Sequence, residues 1–280
     1  MKYYMDTEFH EYQKQPRFLG IPIGKPIDTI ELISIGMVSE NDETYYAVSN
    51  DFDVKAAWYK WQPRYEKRNM GMTRIEVKEY WLRENVLKPI FDEMVLLSNK
   101  AAIKQNHIIG YGGIVHHPDF TLRNFKKLLK RFGKSREEIA YGIKVFIADI
   151  GLKHEKSLND RIELDKPKFY AYYADYDWVV FCWLFGRMVD LPNGFPYYCI
   201  DLKQRLDETL REKLSMQCFL TINGNKKQFD ANKINANNLE EVLAWVKNLE
   251  SYPKEINSHN ALSDSIWNKK LHEFICILDK

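Results

Sequence analysis

Two carboxylates stand one residue apart near the start of the chain, in the apolar segment Tyr3-Tyr4-Met5-Asp6-Thr7-Glu8-Phe9. If this segment is a β-strand, its side chains alternate between faces, so Asp6 and Glu8 point the same way. Like charges on a central strand repel, and burying them without a partner is costly. A divalent cation removes that cost, because hard cations take carboxylate oxygens as ligands. The segment therefore predicts part of a metal site.

Two further acidic motifs lie where an α/β fold would bring them toward such a site. Ala174-Asp175-Tyr176-Asp177-Trp178 follows a predicted strand, and the carboxyl ends of strands are where ligands bind in these sheets. Ser258-His259-Asn260-Ala261-Leu262-Ser263-Asp264 opens the last predicted helix. Metal-assisted hydrolysis of a phosphodiester needs these residue types. Carboxylates hold two divalent cations roughly 3.5–4 Å apart, and a histidine near the attacking water takes its proton.

Each motif also has an ordinary structural interpretation. Asp-x-Glu on a strand is often a solvated face, and Asp175 with Asp177 could begin a helix, where negative charge interacts well with the dipole. His259 and Asp264 could lie on the surface, next to capping residues. The ordered combination of all three motifs favours a functional site over three coincidences.

Four strands and a series of helices must position these residues. Strands are predicted at residues 2–9, 29–38, 43–49 and 169–174, the first three as an antiparallel meander. Helices are predicted at 54–61, 73–98 with a break near Pro89, 120–132, 135–150, 178–189, 202–214, 239–249 and 261–278. The segments 10–28 and 99–119 predict loops, and 216–237 has no clear pattern. This order indicates an α/β fold with a mixed sheet flanked by helices.

Composition limits the classes of protein to consider. The 280 residues carry 41 Lys and Arg against 39 Asp and Glu, so a nucleic-acid partner would be held by a local basic patch. The four cysteines form no C-x-x-C pair, which favours neither a disulfide framework nor a zinc site. No apolar run approaches the length of a membrane span. A cleavable leader would remove Asp6, so the cytoplasm is the expected location.

A basic segment is the one strong charge asymmetry. Residues 121–136 contain seven cations and no acidic residue, among them Arg123, Lys126, Lys127, Lys130 and Arg131. One interpretation is a surface that follows the phosphates of single-stranded RNA. The other is the solvated side of an amphipathic helix. The number of unbalanced charges slightly favours the first.

The three acidic motifs, in this order, resemble the DEDDh family of 3′-to-5′ exonucleases, which have a ribonuclease H-like fold. Asp6-x-Glu8 matches the first motif, Tyr176-Asp177 with Phe181 the second, and His259 five residues ahead of Asp264 the third. Further segments are similar to a bacterial and phage subgroup that includes a polyadenylate-specific 3′ exoribonuclease; they are Ile30–Gly36, Tyr45–Ser49, Leu184–Gly186 and His259–Leu262. The resemblance covers residues 1–50 and 165–204 well, and the last 25 residues reasonably.

The resemblance implies a role for each matched residue. Asp6, Glu8, Asp177 and Asp264 would be ligands of two Mg²⁺ ions, for which Mn²⁺ would substitute, and His259 would be the general base. Asp175, two residues before Asp177, could face the same site as an outer group behind the ligands or lie outside it. The whole chain, 1–280, would be a single exonuclease domain with helical or irregular insertions at about 99–150 and 215–257. The segments Phe9–Ile27 and Leu214–Ser258 are longer than the family pattern, and both adjoin the motifs.

The resemblance implies a metal-dependent 3′-to-5′ exoribonuclease that releases nucleoside 5′-monophosphates from single-stranded RNA, with a preference for adenosine as one option. Two alternatives stay open. The same motifs serve a DNA exonuclease of repair or phage replication, and an inactive relative could bind nucleic acid without cutting it. The family also implies a homodimer, although no segment of the sequence identifies the interface. No membrane partner is expected.

Overall fold

The computed structural model describes residues 1–67, 74–106, 117–154, 166–216, 219–222, 224–228, 236–256 and 259–278. The chain divides into two compact units. The first comprises Met1–Thr7, Ile35–Tyr46 and Ala140–Lys280, and the second comprises Glu8–Ser34 and Ala47–Ile139. Among the helices that the structure describes, none combines the length and the apolar character that a membrane span needs.

Strands and helices alternate along the chain. The strands are β1 (Lys2–Lys14), β2 (Arg17–Phe18), β3 (Ile21–Pro22), β4 (Ile27–Ser39), β5 (Thr44–Val48), β6 (Gln62–Lys67), β7 (Arg74–Glu79), β8 (Lys168–Ala171), β9 (Ile200–Asp201), β10 (Phe219–Ile222) and β11 (Asn225–Gln228). The α-helices are α1 (Val54–Tyr59), α2 (Lys88–Asn106), α3 (Leu122–Phe132), α4 (Arg136–His154), α5 (Ala174–Phe185), α6 (Leu202–Met216), α7 (Ala236–Lys247) and α8 (Ala261–Leu278). A π-helical segment, Arg83–Leu87, leads into α2, and a 3₁₀ turn, Met188–Asp190, follows α5.

A five-stranded mixed sheet, in the order β5-β4-β1-β8-β9, is the centre of the fold. β1, β8 and β9 run parallel, with Tyr4 opposite Tyr170 and Ala171 opposite Asp201. β4 and β5 are joined by a tight turn in which the Ser39 N–H donates to the Glu43 carbonyl over 2.8 Å. The predicted α/β fold with a mixed sheet flanked by helices is therefore confirmed, and all four predicted strands are present.

Helices of the first unit cover both faces of this sheet, as strand alternation requires. Tyr3 and Phe169 are buried on one face, where Phe169 contacts Phe181 of α5 at 5.1 Å between ring centroids. Tyr4 and Tyr170 are buried on the other, in a core that α6, α7 and α8 share. Burial of each such ring contributes roughly 1.5–3 kcal/mol, so the start of β1 is held from both sides.

The second unit is built around an aromatic cluster. Trp58 of α1, Phe91 of α2 and Phe125 of α3 are buried and meet around Phe120, with ring centroids 4.6, 5.2 and 6.5 Å from that of Phe120. Two small antiparallel strand pairs, β2–β3 and β6–β7, belong to the same unit. A capping box at Ser135 opens α4. Glu138 accepts from the Ser135 N–H over 2.7 Å, and the Glu138 N–H donates to Ser135 Oγ.

Several predicted boundaries were wrong, each for a local reason. The segment 74–79 is strand β7 and not helix, because Arg74-Ile75-Glu76-Val77-Lys78-Glu79 alternates charged and branched residues, the period of a strand. Pro89 does not break the helix. It is the second residue of α2, directly after the π-helical segment, whose wider turn accommodates a missing N–H.

The predicted loop 10–28 is largely strand. β1 continues to Lys14 and β4 begins at Ile27, and between them lies the β2–β3 hairpin. Its turn residues Leu19 and Gly20 both have positive φ, 50° and 82°, as hairpin turns matching the strand twist require. Helix α2 extends to Asn106 through part of the predicted loop 99–119, of which residues 107–116 lie outside the described ranges.

Downstream boundaries differ too. Helix α5 begins at Ala174, four residues before the predicted start, and ends at Phe185. The unpatterned segment 216–237 contains the short hairpin β10–β11. Such short strands bury too few side chains to leave a periodic signal.

His10 offers a stability test in the second unit. Its side chain is buried against Tyr12, with parallel rings 4.4 Å apart, and within the described ranges neither ring nitrogen has a hydrogen-bond partner. Burial, with the nearby charge of Lys60, lowers the pKa of His10 to about 4, so the ring is neutral at pH 7.5. His10→Phe keeps the stacked ring and removes two unsatisfied nitrogens. We expect the free energy of unfolding to rise by about 1 kcal/mol.

Denaturant unfolding at pH 7.5 measures this change. His10→Ala is the matched control, and it should lose about 2 kcal/mol or more because it leaves a cavity beside Tyr12. A lower stability of the Phe variant would contradict the prediction and would indicate that water satisfies the ring nitrogens.

Candidate metal centre

Three of the predicted carboxylates lie together. Asp6 and Glu8 extend from β1, and Asp264 extends from the first turn of α8; one carboxylate oxygen of each lies within 4.8 Å of the other two. All three side chains are partly buried. Asp6 and Glu8 share a face because they are two residues apart on one strand, as predicted. The group offers oxygen ligands alone, which suits Mg²⁺ or Mn²⁺ better than a soft metal.

The position of this group follows from the parallel strands. Pairing between β1 and β8 ends at Tyr4 and Tyr170, so Asp6 lies beyond the last paired residue of β1. At the same end of the sheet, β8 leads into α5 and β9 leads into α6. The carboxyl ends of parallel strands open a crevice in α/β proteins, and the site therefore lies where such folds bind ligands.

Asp177 lies next to this group but makes different contacts. It is buried in the first turn of α5, and its Oδ1 accepts hydrogen bonds from the Thr7 N–H at 2.8 Å and from Thr7 Oγ1 at 2.6 Å. Because Thr7 stands between Asp6 and Glu8, these bonds join α5 to the strand that carries the other carboxylates. The three-carboxylate group does not include Asp177, so its predicted role as a fourth ligand stays a prediction.

The turn before α8 fixes His259 beside Asp264. Asn260 caps the helix, since its Oδ1 accepts from the Ser263 N–H at 3.0 Å. His259 has a positive φ of 68°, and its backbone N–H donates to Asp264 Oδ2 over 2.9 Å. One carboxylate thus holds the backbone of the histidine and also contributes to the acidic group. This explains why the histidine and the aspartate are five residues apart.

Burial without a cation raises the pKa of two of these carboxyl groups. For Asp264, burial raises the pKa to about 6, against the opposing effects of the His259 N–H and the charge of His259. For Asp177, burial raises the pKa, and the two bonds from Thr7 lower it. A bound divalent cation would favour the ionised form of both groups, because its charge is the largest in such a site. The donor set therefore fits a cation of this class.

Gly36 sets the distance between β4 and α8. A Cβ at this position would overlap the backbone carbonyl of Ala261 and the backbone nitrogen of Leu262. Only glycine allows the strand to lie so close to the start of the helix. The approach places the first turn of α8, and with it Asp264, against the sheet.

Two buried polar residues fix the rest of α8 to β1. Asn268 Nδ2 donates to the Met5 carbonyl over 2.9 Å, and His272 Nδ1 is 2.7 Å from the Tyr4 hydroxyl. Both lie at intervals of four from Asp264, so all three are on one face of the helix. These contacts determine how far along β1 the carboxylate of Asp264 lies.

Sequence reasoning missed Asp201 as a positioning residue. Its Oδ2 accepts from the Ala174 N–H at the start of α5, and its Oδ1 accepts from the Gln204 N–H in α6, both at 2.9 Å. The spacing of Asp201 and Gln204 is that of a capping box, so the signal was readable. The stripe formed by Asp264, Asn268 and His272 was also visible as polar residues every four positions in an apolar helix. Thr7 carried no such signal.

The remaining predicted residues lie elsewhere. Asp175 is exposed in the first turn of α5, and its predicted outer role stays a prediction. The five predicted phosphate contacts, Arg123, Lys126, Lys127, Lys130 and Arg131, are all exposed on α3 in the second unit.

The fold and the site define a mixed α/β protein with a carboxylate group of the type that holds divalent cations. Comparison with known proteins adds two relatives. Both are Mycobacterium tuberculosis proteins named 3′-5′ exoribonuclease, from two strains of that organism. Each is 25% identical to this chain over 204 residues, which are 73% of this chain and 73% of the relative. A scan of protein families found none that matches the chain.

Proposed function

We propose that the chain is a metal-dependent 3′-to-5′ exoribonuclease that hydrolyses the terminal phosphodiester of single-stranded RNA and releases nucleoside 5′-monophosphates. The observation that carries the proposal is the group formed by Asp6, Glu8 and Asp264, whose oxygens lie within 4.8 Å of one another. The names of the two relatives support the direction of cutting and the choice of RNA.

In this proposal the carboxylates hold two divalent cations, Mg²⁺ or Mn²⁺. Asp6, Glu8 and Asp264 are the first ligands. Asp177 completes the set with Oδ2, because Thr7 occupies its Oδ1. When bound, cations of this class stabilise charge on phosphoryl oxygens and make bound water a better nucleophile. Thr7 contributes orientation, since its two hydrogen bonds fix the Asp177 carboxylate before any ligand arrives.

His259 acts as the general base in this proposal. Its backbone N–H is held by Asp264, so the turn that carries the imidazole is fixed beside that carboxylate. The imidazole takes the proton of the attacking water and leaves it near the negative charge of Asp264, which stabilises the imidazolium. The same histidine returns to the neutral form when that proton passes to solvent.

Digestion of matched oligonucleotides tests the proposal. RNA and DNA 20-mers labelled at the 5′ end are incubated with Mg²⁺, Mn²⁺ or EDTA, and products are resolved by length. We expect a ladder that shortens from the 3′ end of RNA, with nucleoside 5′-monophosphates as products and no cutting in EDTA. Faster cutting of DNA than of RNA would contradict the proposal and would indicate a DNA exonuclease. Binding of RNA without any cutting, in Mg²⁺ and in Mn²⁺, would indicate an inactive relative.

Oligo(A), oligo(U) and oligo(C) of equal length, digested side by side, test the adenosine preference separately. A preference confined to oligo(A) would support it, and equal rates would contradict it.

A further inference from the structure

Helix α3 in the second unit is a concentrated patch of positive charge. Five of its eleven residues are cations, none is acidic, and all five cations are exposed. Within the described ranges none of the five forms an ion pair with a carboxylate, although Arg131 donates to Ser98 Oγ over 3.1 Å. The whole protein has a net charge of only +2, so this patch is a local feature.

The core of the second unit fixes the direction in which these cations point. Phe125 and Leu129 are buried on the inner side of α3, and Thr121 caps the helix by accepting from the Asn124 N–H. With the inner side held, the basic residues cannot rotate toward the core. The surface is therefore preorganised, which reduces the entropy lost when a ligand binds.

Concave surfaces lie on the two sides of α3. A cavity of about 660 Å³ is lined by Lys127, Arg131, Asn124, Ser98 and Asn99, among others. A second, of about 420 Å³, is lined by Lys126, Lys130 and Lys55 together with Asn50 and Asp53. Each cavity thus combines cations with side-chain amides, which donate hydrogen bonds to phosphate and sugar oxygens.

The exposed side of α3 fits a polyphosphate better than a lipid surface. Helices that lie on membranes expose apolar side chains next to their cations, and α3 exposes only its five basic residues. Helix α6 shows what a merely solvated helix of this protein looks like. There Lys203 pairs with Asp207, and Glu208 and Glu212 balance further cations. Of these two helices, only α3 therefore carries unbalanced positive charge.

We propose that α3 and its two cavities bind the phosphodiester backbone of the single-stranded RNA that the proposed activity hydrolyses. The inference deepens the proposed function and rests on it for the identity of the polyanion. The site holds RNA by charge and by hydrogen bonds to phosphate and sugar, so it does not read the base sequence.

The test compares two triple variants with the same change in net charge. Lys126→Gln/Lys127→Gln/Lys130→Gln removes three cations of α3. Lys144→Gln/Arg211→Gln/Lys247→Gln removes three exposed cations of α4, α6 and α7 and is the matched control. Binding of a fluorescent RNA 24-mer is measured in Ca²⁺ from 50 to 300 mM salt, and hydrolysis of a dinucleotide is measured in Mg²⁺.

We expect the α3 variant to bind the 24-mer at least about tenfold more weakly than the control. The slope of log affinity against log salt should fall by about 2, since each phosphate contact in a single strand contributes about 0.7. Dinucleotide hydrolysis should be unchanged, because the variant keeps every residue of the metal centre and a dinucleotide has a single phosphodiester, which the metal centre itself takes. Equal RNA affinity and equal salt slopes in the two variants would overturn the inference.

The outcomes also separate this inference from the proposed function. If the wild-type protein binds the 24-mer through α3 but hydrolyses neither RNA, the surface stands and the proposed activity fails. If the α3 variant lost binding to vesicles with 30% phosphatidylserine but kept its affinity for RNA, the inference would be overturned in favour of a membrane surface.

Discussion

Asp264→Asn is expected to abolish metal-dependent release of nucleotides while leaving the protein folded. The variant removes one charge from three carboxylates that lie within 4.8 Å of one another. Its amide oxygen can still accept the hydrogen bond from the His259 N–H, so the turn before α8 should persist. Stabilisation by a bound cation is worth several kcal/mol in such reactions, and losing about 4 kcal/mol lowers the rate by about 10³.

Cation binding gives a readout that does not depend on activity. A ligand present at 100 times its Kd stabilises the folded state by about 2.7 kcal/mol, which raises Tm measurably. We expect Mg²⁺ and Mn²⁺ to raise the Tm of the wild-type protein and to have little effect on Asp264→Asn. In the absence of metal the variant should be as stable as the wild type or slightly more stable, because it relieves repulsion between like charges.

Glu240→Gln is the matched control, since it also replaces a carboxylate by an amide, on an exposed residue of α7. It should keep both the activity and the metal-induced rise in Tm. Full activity in Asp264→Asn would contradict the assignment of this carboxylate as a ligand. Equal loss in both variants would point to a general effect of charge and not to the metal centre.

Much of the site could be predicted because the residues within each motif are close together in the sequence. Asp6 and Glu8 follow from strand alternation alone, and the spacing of His259 and Asp264 follows from one helical turn with its cap. Asp177 could be predicted at the start of a helix, whereas the hydrogen bonds that it accepts from Thr7 could not be predicted. Those bonds join residues 170 positions apart, and a single sequence contains no signal for a contact of that range.

Elements with long, regular apolar patterns could be predicted from the sequence, and elements with short patterns could not. β4 and α8 have 13 and 18 residues, and their apolar periods identify them. β9 has two residues, so its place beside β8 and the hydrogen bond that Asp201 accepts from the Ala174 N–H came only from the structure. β7 was missed because its Val77 and Ile75 were counted in a helical period, although their alternation with charged residues is that of a strand.

Gly36→Ala is expected to disrupt both stability and activity, although the substitution adds one methyl group. The new Cβ would overlap the backbone of Ala261 and Leu262, and backbone atoms cannot move aside as a flexible side chain can. Overpacking of a well-packed core costs typically 1–3 kcal/mol and occasionally more, and this contact belongs at the upper end. We expect the free energy of unfolding to fall by about 3 kcal/mol, as measured by denaturant unfolding.

The loss of activity should exceed what unfolding explains, because the residues that move are those of the site. Ala261 and Leu262 begin α8, and a strand that pushes them away also displaces Asp264 and His259. A misplacement of about 1 Å at a reacting centre can cost a factor of about 10². The measurement is activity per folded molecule at 15 °C, where the variant should still be largely folded, together with the metal-induced shift in Tm.

Two further variants separate this mechanism from a general sensitivity to bulk. Gly142→Ala adds the same methyl group on α4, where it meets the Tyr45 hydroxyl at 2.6 Å and ring carbons at 2.9 and 3.1 Å. These atoms form the outer end of a side chain, which can turn aside as a backbone cannot, so the cost should be smaller than at Gly36. Gly36→Ala/Ala261→Gly removes a side chain at the contact but leaves the carbonyl that the new methyl group strikes. It should therefore not restore activity, and a restored activity would show that side chains and not the two backbones set the distance between β4 and α8.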